Sequence, residues 1–353
     1  MATIRPLARD DLEAVAGLAR TGLPGWNRDP DVLARNLIDH PWAGEPSRSL
    51  VAVDDEAGVV GSIGAQVRRM RFDRRSLEAV CVSHLVVAHD HRGGASGALL
   101  VRELLAGDQE LTFTDSGTPE VVRIWRAFGA HLDHSRACDW MIVLRPGRWL
   151  RAISSAGFSR QRSVGRRSAP VGALPFHVAR RQASRPASQP SSEITAEDAS
   201  PTELAETIQA ICRAFRLHVD YEPVYLEYLF SYLAYLKADG NLVCRVVRRH
   251  RTPVGWYAYF ARDVTSRVLH IGASVREAEA VVDEMVNDAR RRGTAALSGR
   301  LEPHLDEAVR RQGAVLGFAE RPLVHAREPD VIATVQGSSA LLTELDLIDT
   351  VWW

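Results

Sequence analysis

The run from Leu85 to Ala98 reads LVVAHDHRGGASGA: an apolar segment, then a glycine-rich turn, then a helix-forming stretch. Small residues let a backbone approach a ligand closely. The first N–H groups of a helix lack intrahelical partners and carry partial positive charge. Together these features make an anion cradle suited to a pyrophosphate. The two common nucleotide patterns do not fit, because the run holds no Gly-x-Gly-x-x-Gly and no Gly-Lys-Ser/Thr.

Groups able to move a proton flank this cradle. The block Ala79 to Val87 is nearly all apolar, as a central strand should be, and it carries Ser83 and His84. Histidine titrates near neutral pH, which makes His84 the best chemical candidate for a base. Strand alternation puts Ser83 on the face of Cys81 and turns His84 the other way unless a bulge re-aims it. Cys81 has no activating partner in the sequence and is not a plausible amine base. Asp115 ends the next strand, Leu111 to Thr114, where it is either a contact in a cleft or a cap for the helix Thr118 to Phe128. His89 and His91 form a His-x-His pair without a third ligand, so no metal is expected.

Arg92, Gly93, Gly94, Ser96 and Gly97 fit the Gln/Arg-x-x-Gly-x-Gly/Ala cofactor motif of the GCN5-related N-acetyltransferase (GNAT) superfamily, which this segment resembles. Ala95 departs from it, standing where the first motif glycine is expected. Trp125-Arg-Ala-Phe-Gly129 is similar to the family's Tyr-x-x-x-Gly-Phe helix end near the thiol of CoA. Many relatives use that tyrosine as a general acid; an indole has no suitable acidic proton, so Trp125 is expected to pack. More narrowly, the chain resembles bacterial tandem acetyltransferase-fold proteins encoded with exopolysaccharide genes, on Thr112 to Asp115 and the terminal Leu345-Asp346 and Trp352-Trp353.

The resemblance implies an α+β fold with mixed sheets, in two tandem copies of which the second is degenerate. It implies acetyl-CoA as acyl donor, held by the backbone near Leu85 and Val87 and by Arg92, Gly93, Gly94, Ala95, Ser96, Gly97 and Ala98. A small amine or amino sugar would attack the thioester directly, with His84, Asp115 and Ser83 as the catalytic candidates and one strand amide as a single-donor oxyanion hole. An aminoacyl-tRNA-dependent transferase of similar tandem fold is an alternative, as is a non-catalytic acyl-CoA-binding protein.

The elements that must position these residues follow from the pattern. Ile4 to Leu7 reads as a strand, and Asp10 and Asp11 as caps for a helix through Arg20. Leu50 to Val53 and Val59 to Met70 read as a hairpin across the turn Asp54 to Gly58. Trp140 to Leu144 is expected to close the first unit, giving a domain over 1–147. From Arg148 to Arg185 there are nine arginines and no acidic residue, and the Pro/Ser/Ala run 183–192 follows. Residues 148–192 read as a connector, whose arginines suit either a solvated surface or a phosphate-rich ligand.

Residues 193–353 repeat the element order: a hairpin from Leu242 to Arg262, a strand at Val268 to Val275, a helix at Arg276 to Arg292 and a strand at Ala295 to Leu301. After Val275 comes REAEAVVD, acidic and without glycine, so no second cofactor site is expected. Asp220, Tyr221, Tyr225, Trp256, Tyr257 and Tyr259 form an aromatic-rich set that suits either core packing or a sugar- or amine-binding wall.

Composition bounds the rest. The 353 residues suffice for two cores, and Lys+Arg and Asp+Glu are both 44, without the basic excess usual in nucleic-acid binders. The four cysteines lie far apart, so a disulfide framework is not expected. There is no signal-peptide core and no apolar run long enough to span a membrane, which makes a cytoplasmic enzyme the expectation.

Overall fold

The computed structural model describes residues 2–23, 29–155, 193–235, 240–318 and 321–347. The connector beyond residue 155, and Trp352 and Trp353, lie outside them. Along the first part run β1 (Thr3–Pro6), α1 (Leu12–Gly22), α2 (Pro30–Leu37), β2 (Leu50–Asp54), β3 (Gly58–Phe72), β4 (Arg75–Val87), α3 (Ser96–Leu105), β5 (Leu111–Thr114), α4 (Pro119–Ala127), β6 (His131–Leu132), β7 (Cys138–Val143) and α5 (Pro146–Ser155). The second part holds β8 (Ile194–Asp198), α6 (Pro201–Cys212), β9 (Leu217–Val219), α7 (Pro223–Tyr235), β10 (Asn241–Arg249), β11 (Thr252–Ala261) and β12 (Thr265–Ala273). It continues with α8 (Ala278–Arg291), β13 (Ala296–Arg300), α9 (Asp306–Arg311), β14 (Val315–Phe318), β15 (Leu323–Ala326), α10 (Pro329–Gln336), β16 (Ala340–Leu341) and α11 (Glu344–Leu347).

Three helices start by one device. Asp29, Thr118 and Ser200 each precede a proline at the first helical position and accept the amide of the third, at 3.0, 3.4 and 3.2 Å. The cap side chain satisfies an otherwise orphaned amide, and proline has no N–H to orphan.

Two mixed sheets share one strand plan. The first runs β1-β2-β3-β4-β5-β15-β6, and the second β8-β10-β11-β12-β13-β7-β14. In each, a parallel step joins the fourth and fifth strands, and the sixth lies antiparallel between the fifth and seventh. The sixth strand comes from the other part of the sequence: β15 completes the first sheet and β7 the second. One compact unit therefore takes the residues up to Asp133 together with Arg321–Ala333, and the other runs from His134 through β14 and adds Thr334–Asp346. Here the fold differs from the expectation that Trp140 to Leu144 closes the first unit. An apolar strand pattern states that a strand is buried, not which sheet buries it.

In the first unit, Val80 and Val82 of β4 pack with Leu100, Val101 and Leu104 of α3 and with Trp125. In the second, Tyr257, Tyr259, Val268 and Ile271 face Val281, Val282, Met285 and Val286 of α8, with Trp140 of β7. Gly299 makes room for that indole, since a Cβ there would lie 2.7 Å from its ring. No helix among the described residues is long and apolar enough to cross a membrane.

Candidate active site

β4 and β5 pair only through Ala79–Leu111, Val80–Thr112 and Cys81–Phe113. Beyond Cys81 no rung joins them, so among the described residues Val82 to Val87 have strand pairing on the β3 side alone. A gap of this kind exposes backbone N–H and C=O groups that an extended ligand can pair with.

The register of β3 against β4 slips by one residue between Ile63 and Ala65. Leu85 faces Ile63 and Val82 faces Ala65, which leaves Ser83 and His84 together opposite Gly64. This is a β-bulge, and it re-aims a side chain that strict alternation would send to the far face. A Cβ on Gly64 would collide with Ser83 Oγ and lie 2.7 Å from His84 Nδ1, so the glycine creates the space both side chains use.

His84 is buried, with Nδ1 3.1 Å from Ser83 Oγ and Nε2 3.3 Å from Ser62 Oγ. Burial lowers its pKa to about 4, so the imidazole is neutral at physiological pH. Ser83 is only half-buried and forms the accessible side of the pair. Asp115, one residue past β5, is buried and accepts the Ser116 hydroxyl at 3.1 Å. Thr118, not Asp115, caps α4. Trp125 is 1% exposed within the core, as its indole leads one to expect.

The glycine loop follows β4 directly. Gly93 holds a φ of +81°, a conformation side chains resist. A Cβ on Gly94 would lie 3.3 Å from His91 O. Gly97 is different: a Cβ there would lie 3.5 Å from Val87, an ordinary contact. The fold itself therefore does not require glycine at 97. Ala95 stands at the N-cap of α3 and contributes no side-chain acceptor, and the first turn has no acidic residue. The opening amides of α3, from Ser96 through Ala98, receive no side-chain cap from Ala95. Arg92 Nε donates to Val87 O at 3.1 Å, which ties the loop to the end of β4 and occupies one carbonyl expected to face a ligand. Leu85 and Val87 are half-buried on this strand. His89 and His91 lie in the short turn before Arg92, and His89 pairs with Asp90. No group of three or more metal-ligating side chains exists among the described residues.

The second sheet, taken by itself, repeats much of this. β12 and β13 pair from Thr265–Ala296 to Val268–Gly299 and no further. The register of β11 against β12 slips between Ala258 and Tyr259, which places Leu269 in a bulge beside His270. The entrance to α8 is unlike that of α3. Glu277 stands at its N-cap, paired with Arg249 at 2.8 Å, and Glu279 in its first turn pairs with Arg311 at 2.7 Å. Tyr221, Tyr225, Trp256, Tyr257 and Tyr259 are all buried.

Residue patterns alone did not point to Ser62, Gly64 or His270. A bulge leaves no mark in a run of apolar residues. The signal that could have found His270 is the Val-x-His spacing it shares with Val82–His84.

No family model matches the chain, and no curated protein does. Solved structures do. A GCN5-related N-acetyltransferase from Anabaena variabilis ATCC 29413 is similar at a TM-score of 0.63 and 10% identity, over 92% of this chain and 73% of that one. A probable N-acyltransferase from Enterococcus faecalis V583 is similar at 0.60 and 10%, with the same coverage. A GCN5-related glucosamine N-acetyltransferase region of a fungal multi-domain β-N-acetylglucosaminidase is similar at 0.53 and 13%, over 92% of this chain and 38% of that one. These likenesses show the fold: the chain has the fold of the GCN5-related N-acetyltransferases.

Proposed function

We propose that the chain transfers an acyl group, acetyl first among them, from CoA to the nitrogen of a small amine or amino sugar. The observation that carries this reading is the junction of β4 and α3. A strand freed on one side leads into a glycine turn and a helix start without a side-chain cap. The freed backbone suits the pantetheine arm and the helix start suits the pyrophosphate. Gly97 adds to it, since nothing among the described residues demands a glycine there and a close-approaching ligand would.

In this reading the amine nitrogen attacks the thioester carbonyl carbon, the carbonyl oxygen takes the negative charge, and the C–S bond then breaks to release CoA thiolate. A backbone amide of β4 stabilises the oxyanion. The nitrogen becomes strongly acidic once its C–N bond forms, so a weak base can take its proton. Ser83 relays that proton to Nδ1 of neutral His84, 3.1 Å away. Because a base with a pKa of about 4 cannot strip an ammonium beforehand, the rate should rise with pH through the amine's own pKa. The glucosamine-acetylating region among the similar folds makes amino sugars the first acceptors to test.

The test is release of CoA thiol from acetyl-CoA with a panel of amines that includes glucosamine. Turnover with at least one amine, rising toward alkaline pH, is expected. Tight acetyl-CoA binding with no thiol release for any amine would favour a non-catalytic binding protein instead.

A further inference from the structure

His270 occupies in β12 the bulge position that His84 occupies in β4, but its surroundings differ. Both nitrogens of His84 meet serine hydroxyls. His270 Nδ1 lies 2.8 Å from Thr343 Oγ1, which lies 3.0 Å from Asp346 Oδ2. The Thr343 amide donates to the same oxygen at 2.7 Å, and the Tyr221 hydroxyl donates to Oδ1. A carboxylate only accepts, so the Thr343 hydroxyl donates to Asp346 and accepts from His270. That direction fixes the tautomer: the proton sits on Nδ1 and the lone pair on Nε2.

Nε2 is buried and has no hydrogen-bond partner among the described residues. The same is true of the indole Nε1 of Trp256, whose ring meets His270 edge-on at 5.4 Å. The Tyr221 ring centroid lies 5.4 Å from that of the imidazole, and the Tyr225 ring lies 6.1 Å from Tyr221. An unpaired acceptor and an unpaired donor, both buried, are costly unless something pairs them. A hydroxyl group is the chemistry that does both: it donates to Nε2 and accepts from Nε1–H. An ammonium could satisfy only the first. β12 beyond Val268 has no strand partner on the β13 side among the described residues.

We propose that the second sheet holds a separate site for a hydroxyl-rich, carbohydrate-type ligand, gripped by His270 and Trp256 and walled by Tyr221. It takes no acyl-CoA and does not depend on acyl transfer at the first sheet. Aromatic faces beside paired polar groups are the usual construction of a neutral sugar site.

The experiment is a side-chain 1H–15N NMR titration of the full chain with D-glucose, which has no amine and cannot serve as an N-acyl acceptor. His270 should show the Nδ1–H tautomer, and glucose should shift its Nε2 and the Trp256 Nε1–H together, with saturation. Trp256→Phe keeps a ring but removes the donor, and should weaken glucose binding about tenfold. If that variant fails to fold, the paired wild-type shifts decide. No saturable shift, a response of only one of the two nitrogens, or full affinity in Trp256→Phe would overturn the proposal and leave a buried water as the hydroxyl.

Discussion

The two sheets share a strand plan, a parting of the fourth and fifth strands, and a bulge with a buried histidine. They differ in the next few residues. The first continues into Arg92-Gly-Gly-Ala-Ser-Gly97, and the second into Arg276-Glu-Ala-Glu279. Parting and bulge are thus shared by a half whose helix entrance is glycine-rich and uncapped and a half with acidic side chains at the same entrance. The glycine turn is what distinguishes the proposed pyrophosphate site from the acidic helix entrance of the second sheet. A buried histidine at the bulge does not by itself mark the cofactor.

The largest expected effect tests whether the sheets can be separated. The fragment Met1–Gly147 lacks β15, so β5 and β6 lose the strand between them, and it retains β7 without its sheet. It should lose cooperative thermal unfolding. A cooperative, monomeric melt of the fragment would show that the exchange is dispensable.

Acid stability depends on His84. Its pKa is lowered from 6.5 to about 4 in the folded protein, so between these values the unfolded chain binds the proton and the folded chain does not. The neutral ring's stabilisation is whole above pH 6.5 and is lost as pH falls toward 4. The shift corresponds to about 3 kcal/mol. Denaturant melts across this window should show a loss smaller by that amount in His84→Gln; an unchanged slope would contradict the assignment.

Turnover on an identified substrate should fall about 10²-fold in whichever of His84→Ala and Asp115→Ala removes the acid–base group, with acetyl-CoA affinity nearly intact. His270→Ala should leave acetyl-CoA affinity unchanged, whatever it does to stability. If neither His84 nor Asp115 affects turnover, the chemistry lies elsewhere. If both variants unfold, these residues serve the core.

The smallest effect is the most selective. Gly97 has room for a methyl group and sits in the first turn of α3. Gly97→Ala should therefore stabilise the protein by about 0.5–1 kcal/mol while weakening acetyl-CoA binding. Loss of stability would mean that the fold, not a ligand, needs this glycine.

Much of this was legible in the sequence because it is local. The strand–glycine–helix order around Arg92, the proline-led caps and the repeat of element order are each written within a few neighbouring residues. The exchange of β7 and β15 was not, since alternation and apolarity describe a strand's faces and not its neighbours. The residue type makes His84 a candidate, but the face it points to depends on a bulge, whose cause lies across the strand pair, in Gly64. Ser62 and the relay from His270 to Asp346 depend on contacts between residues distant in the chain.

We propose a single acyl-CoA site per chain, on the first sheet's glycine turn. Isothermal titration of the full chain with acetyl-CoA tests it most directly, on the wild type and on Gly97→Glu, whose side chain would block the amides and repel the phosphates. One acetyl-CoA per chain is predicted for the wild type and none for the variant, with an unchanged melting profile. Two per chain, or undiminished affinity in Gly97→Glu, would contradict it.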